Sequence, residues 1–98
     1  MVLWRKQSID ESGLSEIREI QKLRYSILNQ ASFLREQKDG PINIFAIGNP
    51  LGIQKEKLER IYFYLIDAGL IEFYALGGKF RMTSKGLRRA KKGPDRIF

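Results

Sequence analysis

The chain has 98 residues, 43% of them apolar and 11% aromatic, which suits one compact domain with a thin core and argues against disorder. It contains no cysteine and no histidine, so disulfides, zinc knuckles and thiol nucleophiles are excluded, and the commonest general base and metal ligand is missing. The net charge of +7 is segregated: residues 1–76 hold ten Lys/Arg and ten Asp/Glu, whereas residues 77–98 hold eight basic residues and only Asp95.

Residues 1–14 form a mixed N-terminal arm; Ser8, with Glu11 at capping-box spacing, Ser12, and Ser15 just after the arm are alternative helix caps. From residue 15 to 38, Ile17, Ile20, Leu23, Ile27, Leu28, Ala31 and Leu34 recur at steps of three and four, which predicts an amphipathic helix. Lys38-Asp39-Gly40-Pro41 ends it, because glycine suits a left-handed cap and proline cannot continue the helix. The run Ile42–Ile47 is bounded by breakers and reads equally as a strand or a short helix. A second long helix is predicted over 53–68, with Ile53, Leu58, Ile61, Tyr62 and Leu65 on the core side and Gly69 as its C-terminal cap.

Residues 71–76 and 79–83 alternate around Gly77-Gly78, a two-residue hairpin signal. Pairing Leu76 with Lys79 sets Ala75 opposite Phe80 and Phe73 opposite Met82, giving one apolar face. The other face then carries Glu72, Tyr74, Leu76, Lys79, Arg81 and Thr83, with Tyr74 opposite Arg81. A last short helix over 85–92 starts from a Thr83 or Ser84 cap, and residues 93–98 form a short tail. No apolar run approaches the roughly 20 residues of a membrane span, and the N-terminus lacks the apolar stretch of a signal peptide, so a cytoplasmic protein without a membrane partner is expected.

The order helix, short element, helix, hairpin, helix leads to a resemblance. Residues 51–71, LGIQKEKLERIYFYLIDAGLI, resemble the recognition-helix segment of winged helix-turn-helix proteins such as MarR-like and PadR-like regulators. The matching features are the apolar-Gly-apolar turn, the apolar positions Leu58, Ile61 and Leu65, and the exit Gly69-Leu70-Ile71. The segment GGKFRMTSKGLRRA is similar to the wing and its exit, with Thr83, Gly86 and Leu87 opening the last helix. The chain departs from the pattern in three ways: Glu56, Lys57 and Glu59 replace small residues of the recognition helix, the wing is very short, and no sensor motif is visible. The resemblance implies a mostly α, single-domain winged helix-turn-helix with a small β-hairpin, its winged-helix domain running over 15–92.

It also implies a transcriptional regulator that binds double-stranded DNA as a homodimer. In such a fold the second helix of the motif enters the major groove by its N-terminal end. Here that end carries Gln54, Lys55, Lys57 and Arg60, with Tyr64 one turn after Arg60. Gln54 and Arg60 suit base edges, while Lys55 and Lys57 suit phosphates. Lys79 and Arg81 on the hairpin, and Lys85, Arg88 and Arg89 on the last helix, add phosphate-binding positions. The same charges also read as a solvated helix face and a solubilising basic tail, which is compatible with a protein-interaction module in a larger assembly.

Phe63 and Ile66 fit neither the core side nor the DNA side of the helix. Either Met1–Trp4 or the first helix, of this chain or of a partner subunit, covers them, or they widen the core stripe. Tyr25 and Phe33 on the first helix read equally as core or as a dimer seam. Nothing converges on a catalytic pocket, a metal site or a cofactor cradle, so no enzyme, metal or cofactor is expected.

Overall fold

The computed structural model describes the backbone of residues 2–93 and the side chains of residues 16–93. The protein is mostly helical, with four helices and a three-stranded antiparallel sheet among the described residues: α1 (Val2–Gln37), β1 (Ile42–Asn43), α2 (Ile44–Gly48), α3 (Lys55–Asp67), β2 (Ile71–Ala75), β3 (Lys79–Met82) and α4 (Ser84–Lys91). The sheet order is β1-β3-β2, so the hairpin gains a third strand that periodicity alone left open. None of these helices is long and apolar enough to cross a membrane.

α1 starts at Val2 rather than near residue 15, and its 36 residues span about 54 Å. Ser8, Ser12 and Ser15 therefore lie within the helix instead of capping its start, and the side chains of residues 1–4 lie outside those described. Only the later part of the expected apolar stripe is used. Ile27, Leu28 and Ala31 are fully buried and Leu23 and Leu34 pack beside them, whereas Ile17 is 52% exposed. Phe33 is also 52% exposed, while Tyr25 packs on the core.

The ambiguous run 42–47 is both elements in succession. Ile42 pairs with Phe80 in the sheet, and then the Asn43 Oδ1 accepts the Phe45 N–H at 2.8 Å, capping a short helix. α2 packs closely on α3, where a Cβ at Gly48 would run into the Leu58 side chain. Leu58, Ile61, Tyr62 and Leu65 point inward as expected, against Ile27, Ile44, Phe80 and Ile71. Burying each aliphatic side chain of this set stabilises the fold by about 1.5–3 kcal/mol.

The exit from α3 follows the expected pattern. Gly69 has φ +75°, the Leu70 N–H reaches the Leu65 carbonyl at 3.0 Å, and the Gly69 N–H reaches Ile66 at 2.9 Å. This is a Schellman cap, and the buried Leu70 makes the apolar contact that accompanies it. Thr83 then joins two elements: its Oγ1 accepts the Gly86 N–H at 2.9 Å and donates to the Gly69 carbonyl at 2.6 Å.

The hairpin register differs from the expected one. Ile71 faces Met82, Glu72 faces Arg81, Phe73 faces Phe80 and Ala75 faces Lys79, with a bulge between Phe73 and Ala75. The turn is therefore three residues, Leu76-Gly77-Gly78, rather than two. The longer turn shifts the pairing by one residue and the extra residue in β2 by one more, so Phe73 lies opposite Phe80 instead of Met82 on the same face. Phe80 and Met82 are buried as expected, but Phe73 is 56% exposed because it sits beyond the edge of the core.

The close seating of α4 generates a test. A Cβ at Gly86 would collide with the backbone carbonyl of Leu70, a group that cannot swing aside as a side chain would. Gly86→Ala should lower stability by about 1–3 kcal/mol in urea unfolding. Ser84→Ala, an exposed change two residues away, should stay within about 0.5 kcal/mol.

Candidate nucleic-acid interface

Gln54 is the N-cap residue of α3 and makes no side-chain capping bond, so its amide projects exposed from the helix start. Lys55 and Arg60 are exposed, and Lys57 is half-buried. The outer face of α3 also carries the exposed acids Glu56, Glu59 and Asp67. Three positive and three negative groups leave the helix with no net charge. A polyanion meeting α3 would therefore be attracted at its start rather than along its length.

Tyr64 is not on that outer face. It is half-buried against α1, where the Arg24 guanidinium lies 3.5 Å from its ring centroid. A cation over a ring at this distance contributes about 0.5–2 kcal/mol, so Tyr64 helps hold α3 to α1. Arg60 was the guide to Tyr64 by its spacing of four. That spacing puts the two on the same flank, but α1 covers only the Tyr64 end.

Lys79 and Arg81 alternate with the buried Phe80 and Met82 and stand on the exposed side of β3. The Arg81 guanidinium lies 4.8 Å from the Tyr74 ring centroid. The expected stacking is present, although Arg81 directly faces Glu72 and reaches Tyr74 along the diagonal.

Two hydrogen bonds place the hairpin beside α3. The Tyr62 hydroxyl donates to the Lys79 carbonyl at 2.8 Å, and the Ile44 N–H donates to the Gly78 carbonyl at 2.9 Å. The turn and the first half of α3 consequently flank one open cleft of about 400 Å³. Lys55, Glu59 and Phe63 line it from α3, Phe73 and Leu76 from the hairpin, and Phe45 from α2. Phe63 is 60% exposed and Leu76 87% exposed. Ile66, by contrast, packs on the core and so widens its stripe, whereas Phe63 is left uncovered among the described residues.

The remaining basic residues are elsewhere. The Lys85 Nζ donates to the Ala68 carbonyl at 2.8 Å, at the C-terminal end of α3. There a cation complements the negative end of the helix dipole. That position is about 20 Å along α3 from Gln54. Arg88 is exposed on α4, which packs on α1, and the Arg89 Nη1 donates to the Gly93 carbonyl at 3.0 Å. The structure thus brings Lys55 to the hairpin turn that leads into Lys79, with Gln54 one residue before Lys55 at the helix start, whereas Lys85 is held at the C-terminal end of α3 and Arg88 and Arg89 lie on α4.

Phe45, Phe73 and Leu76 were not among the expected site residues. Alternation places Phe73 on the core face, where it pairs with Phe80, but on the edge strand it lies past the end of the core and stays exposed. Comparison of the chain with models of known families, with curated proteins and with solved structures finds no match.

Burial raises the Tyr62 phenol above its ordinary value of 10.0. The phenolate is disfavoured in the folded state, so the stability contributed by the protonated phenol is intact below pH 10 and is lost as pH rises past it. Tyr62→Phe should remove this alkaline component from a pH series of unfolding midpoints. It should also cost about 1 kcal/mol at neutral pH through the lost bond to Lys79.

Proposed function

We propose that the chain is a winged helix-turn-helix protein of the cytoplasm that binds double-stranded DNA as a transcriptional regulator. In this reading α3 enters the major groove by its N-terminal turn and the β2–β3 hairpin is the wing. Gln54 and Arg60 read base edges, Lys55 and Lys57 grip phosphates, and Lys79 and Arg81 follow the backbone or minor groove. The observation that carries it is the shared cleft: the exposed start of α3 and the lysine-bearing hairpin turn stand on either side of it, tied by the Tyr62–Lys79 and Ile44–Gly78 bonds. The element order and the close seating of Gly86 under Leu70 support the fold assignment.

The exposed Ile17 and Phe33 leave α1 with apolar surface for a second copy, which supports a homodimer whose symmetry would match a palindromic site. Lys85, Arg88 and Arg89 then act as a peripheral basic patch, reaching DNA only where it extends past the end of α3. The balanced charge of α3 favours a second reading, a protein-interaction module in a larger assembly.

Salt-dependent binding to duplex DNA separates the two readings. Contact with about six phosphates should give a log–log slope near −5. Lys79→Ala with Arg81→Ala should weaken binding to every sequence alike and reduce the slope by about two. Gln54→Ala should relax sequence preference in a selection from random duplexes and leave nonspecific affinity nearly intact. A flat salt response would replace DNA binding by the interaction module, and wing substitutions without effect would remove the hairpin from the interface.

A further inference from the structure

An opened duplex would use the cleft between α3 and the hairpin more fully than an intact one. The major groove presents polar base edges, with the thymine methyl as its apolar feature. Stacked, paired bases offer no ring face to a side chain. Yet the middle of the candidate interface holds Phe63 and Phe73, 60% and 56% exposed, facing a space of about 400 Å³. Leu76 stands 87% exposed on the turn, immediately before the two glycines that lead to Lys79.

We infer that this cleft receives an unstacked nucleobase, so that the protein binds a disrupted duplex more tightly than a fully paired one. The inference rests on the nucleic-acid reading above and narrows its ligand. Three features of the cleft match a nucleotide rather than an apolar peptide side chain. Phe63 and Phe73 supply ring faces, and base–aromatic stacking tolerates any sequence. Lys55 lines the cleft on one side and Lys79 follows the turn on the other, where phosphates flanking the base would run. Glu59 lines the same space, and a carboxylate there accepts from the exocyclic amine of a base. Leu76 acts as the apolar wedge that holds the neighbouring base step open, a use of leucine known at minor-groove interfaces.

The test compares two labelled probes by fluorescence anisotropy: a fully paired duplex, and the same duplex with a short internal run of mismatched bases. The wild-type chain should bind the mismatched probe about fivefold to a hundredfold more tightly, the range for one stacked base. Phe63→Ala with Phe73→Ala should bring that ratio close to one while changing affinity for the paired duplex by no more than about twofold, since the rings do not contact it. Both side chains are largely exposed, so the variant should fold. Phe63→Leu with Phe73→Leu keeps apolar bulk without a ring and should also lose the preference.

Equal wild-type affinity for the two probes would overturn the inference and leave duplex binding standing. Absence of binding to either probe would overturn both. A preference that survives the leucine variant would rule out ring stacking. Alanine variants that keep the preference would overturn the inference, and a lowered sedimentation coefficient in them would assign the cleft to a second copy of the chain.

Discussion

The candidate interface depends on one constraint, the docking of the hairpin turn onto the body of the protein. Tyr62 is buried in the middle of α3, yet its hydroxyl finds the Lys79 carbonyl at 2.8 Å. A buried hydroxyl without a partner would be costly, so this bond both satisfies Tyr62 and locates β3. The Ile44–Gly78 backbone bond fixes the turn from the other side. A two-strand ribbon is marginal by itself in water, and these ties, with the short strand β1, keep it at a set distance from α3. The cleft and the relation of Lys79 to Lys55 follow from that distance.

Charge in the sequence and charge in space are different quantities here. The excess of +7 lies wholly in residues 77–98, which suggests one basic surface. Folding divides it. Lys79 and Arg81 stay with the hairpin, while Lys85 is committed to the carbonyl end of α3 and Arg89 to Gly93. Lys85 therefore contributes to helix termination as well as to any long-range attraction. The start of α3 is left with a small number of cations beside exposed rings. That composition is unlike a broad phosphate-binding plateau, and it directs attention to ring faces as well as to electrostatics.

Much of the fold was legible because it rests on local signals. The α1 stripe from Leu23 to Leu34, the Gly69 cap, the inward face of α3 and the Thr83 cap each depend on residues a few positions apart. What escaped depends on distant contacts. Ala75 and Phe73 alternate as well in one register as in the other, and only the pairing of β3 with β1 and the bond from Tyr62 set the strand's place. Phe73 keeps its core-side face opposite Phe80 but falls beyond the reach of the core, which leaves its ring to line the cleft. Tyr64 is similar: its spacing of four from Arg60 sets its flank of α3, but the position of Arg24 on another helix decides what it touches. The Asn43 cap carried a readable signal, an asparagine ahead of a short apolar run, that settles how residues 42–47 divide.

The irregularity in β2 has a consequence for self-association. β2 is an edge of the sheet, and a straight edge strand with apolar groups is a template for pairing with another chain. The extra residue breaks the regular row of donors and acceptors near the turn, and Glu72 adds a charge lower down. Phe73 can thus remain open to solvent on this strand while the edge resists growth into intermolecular sheets and fibrils.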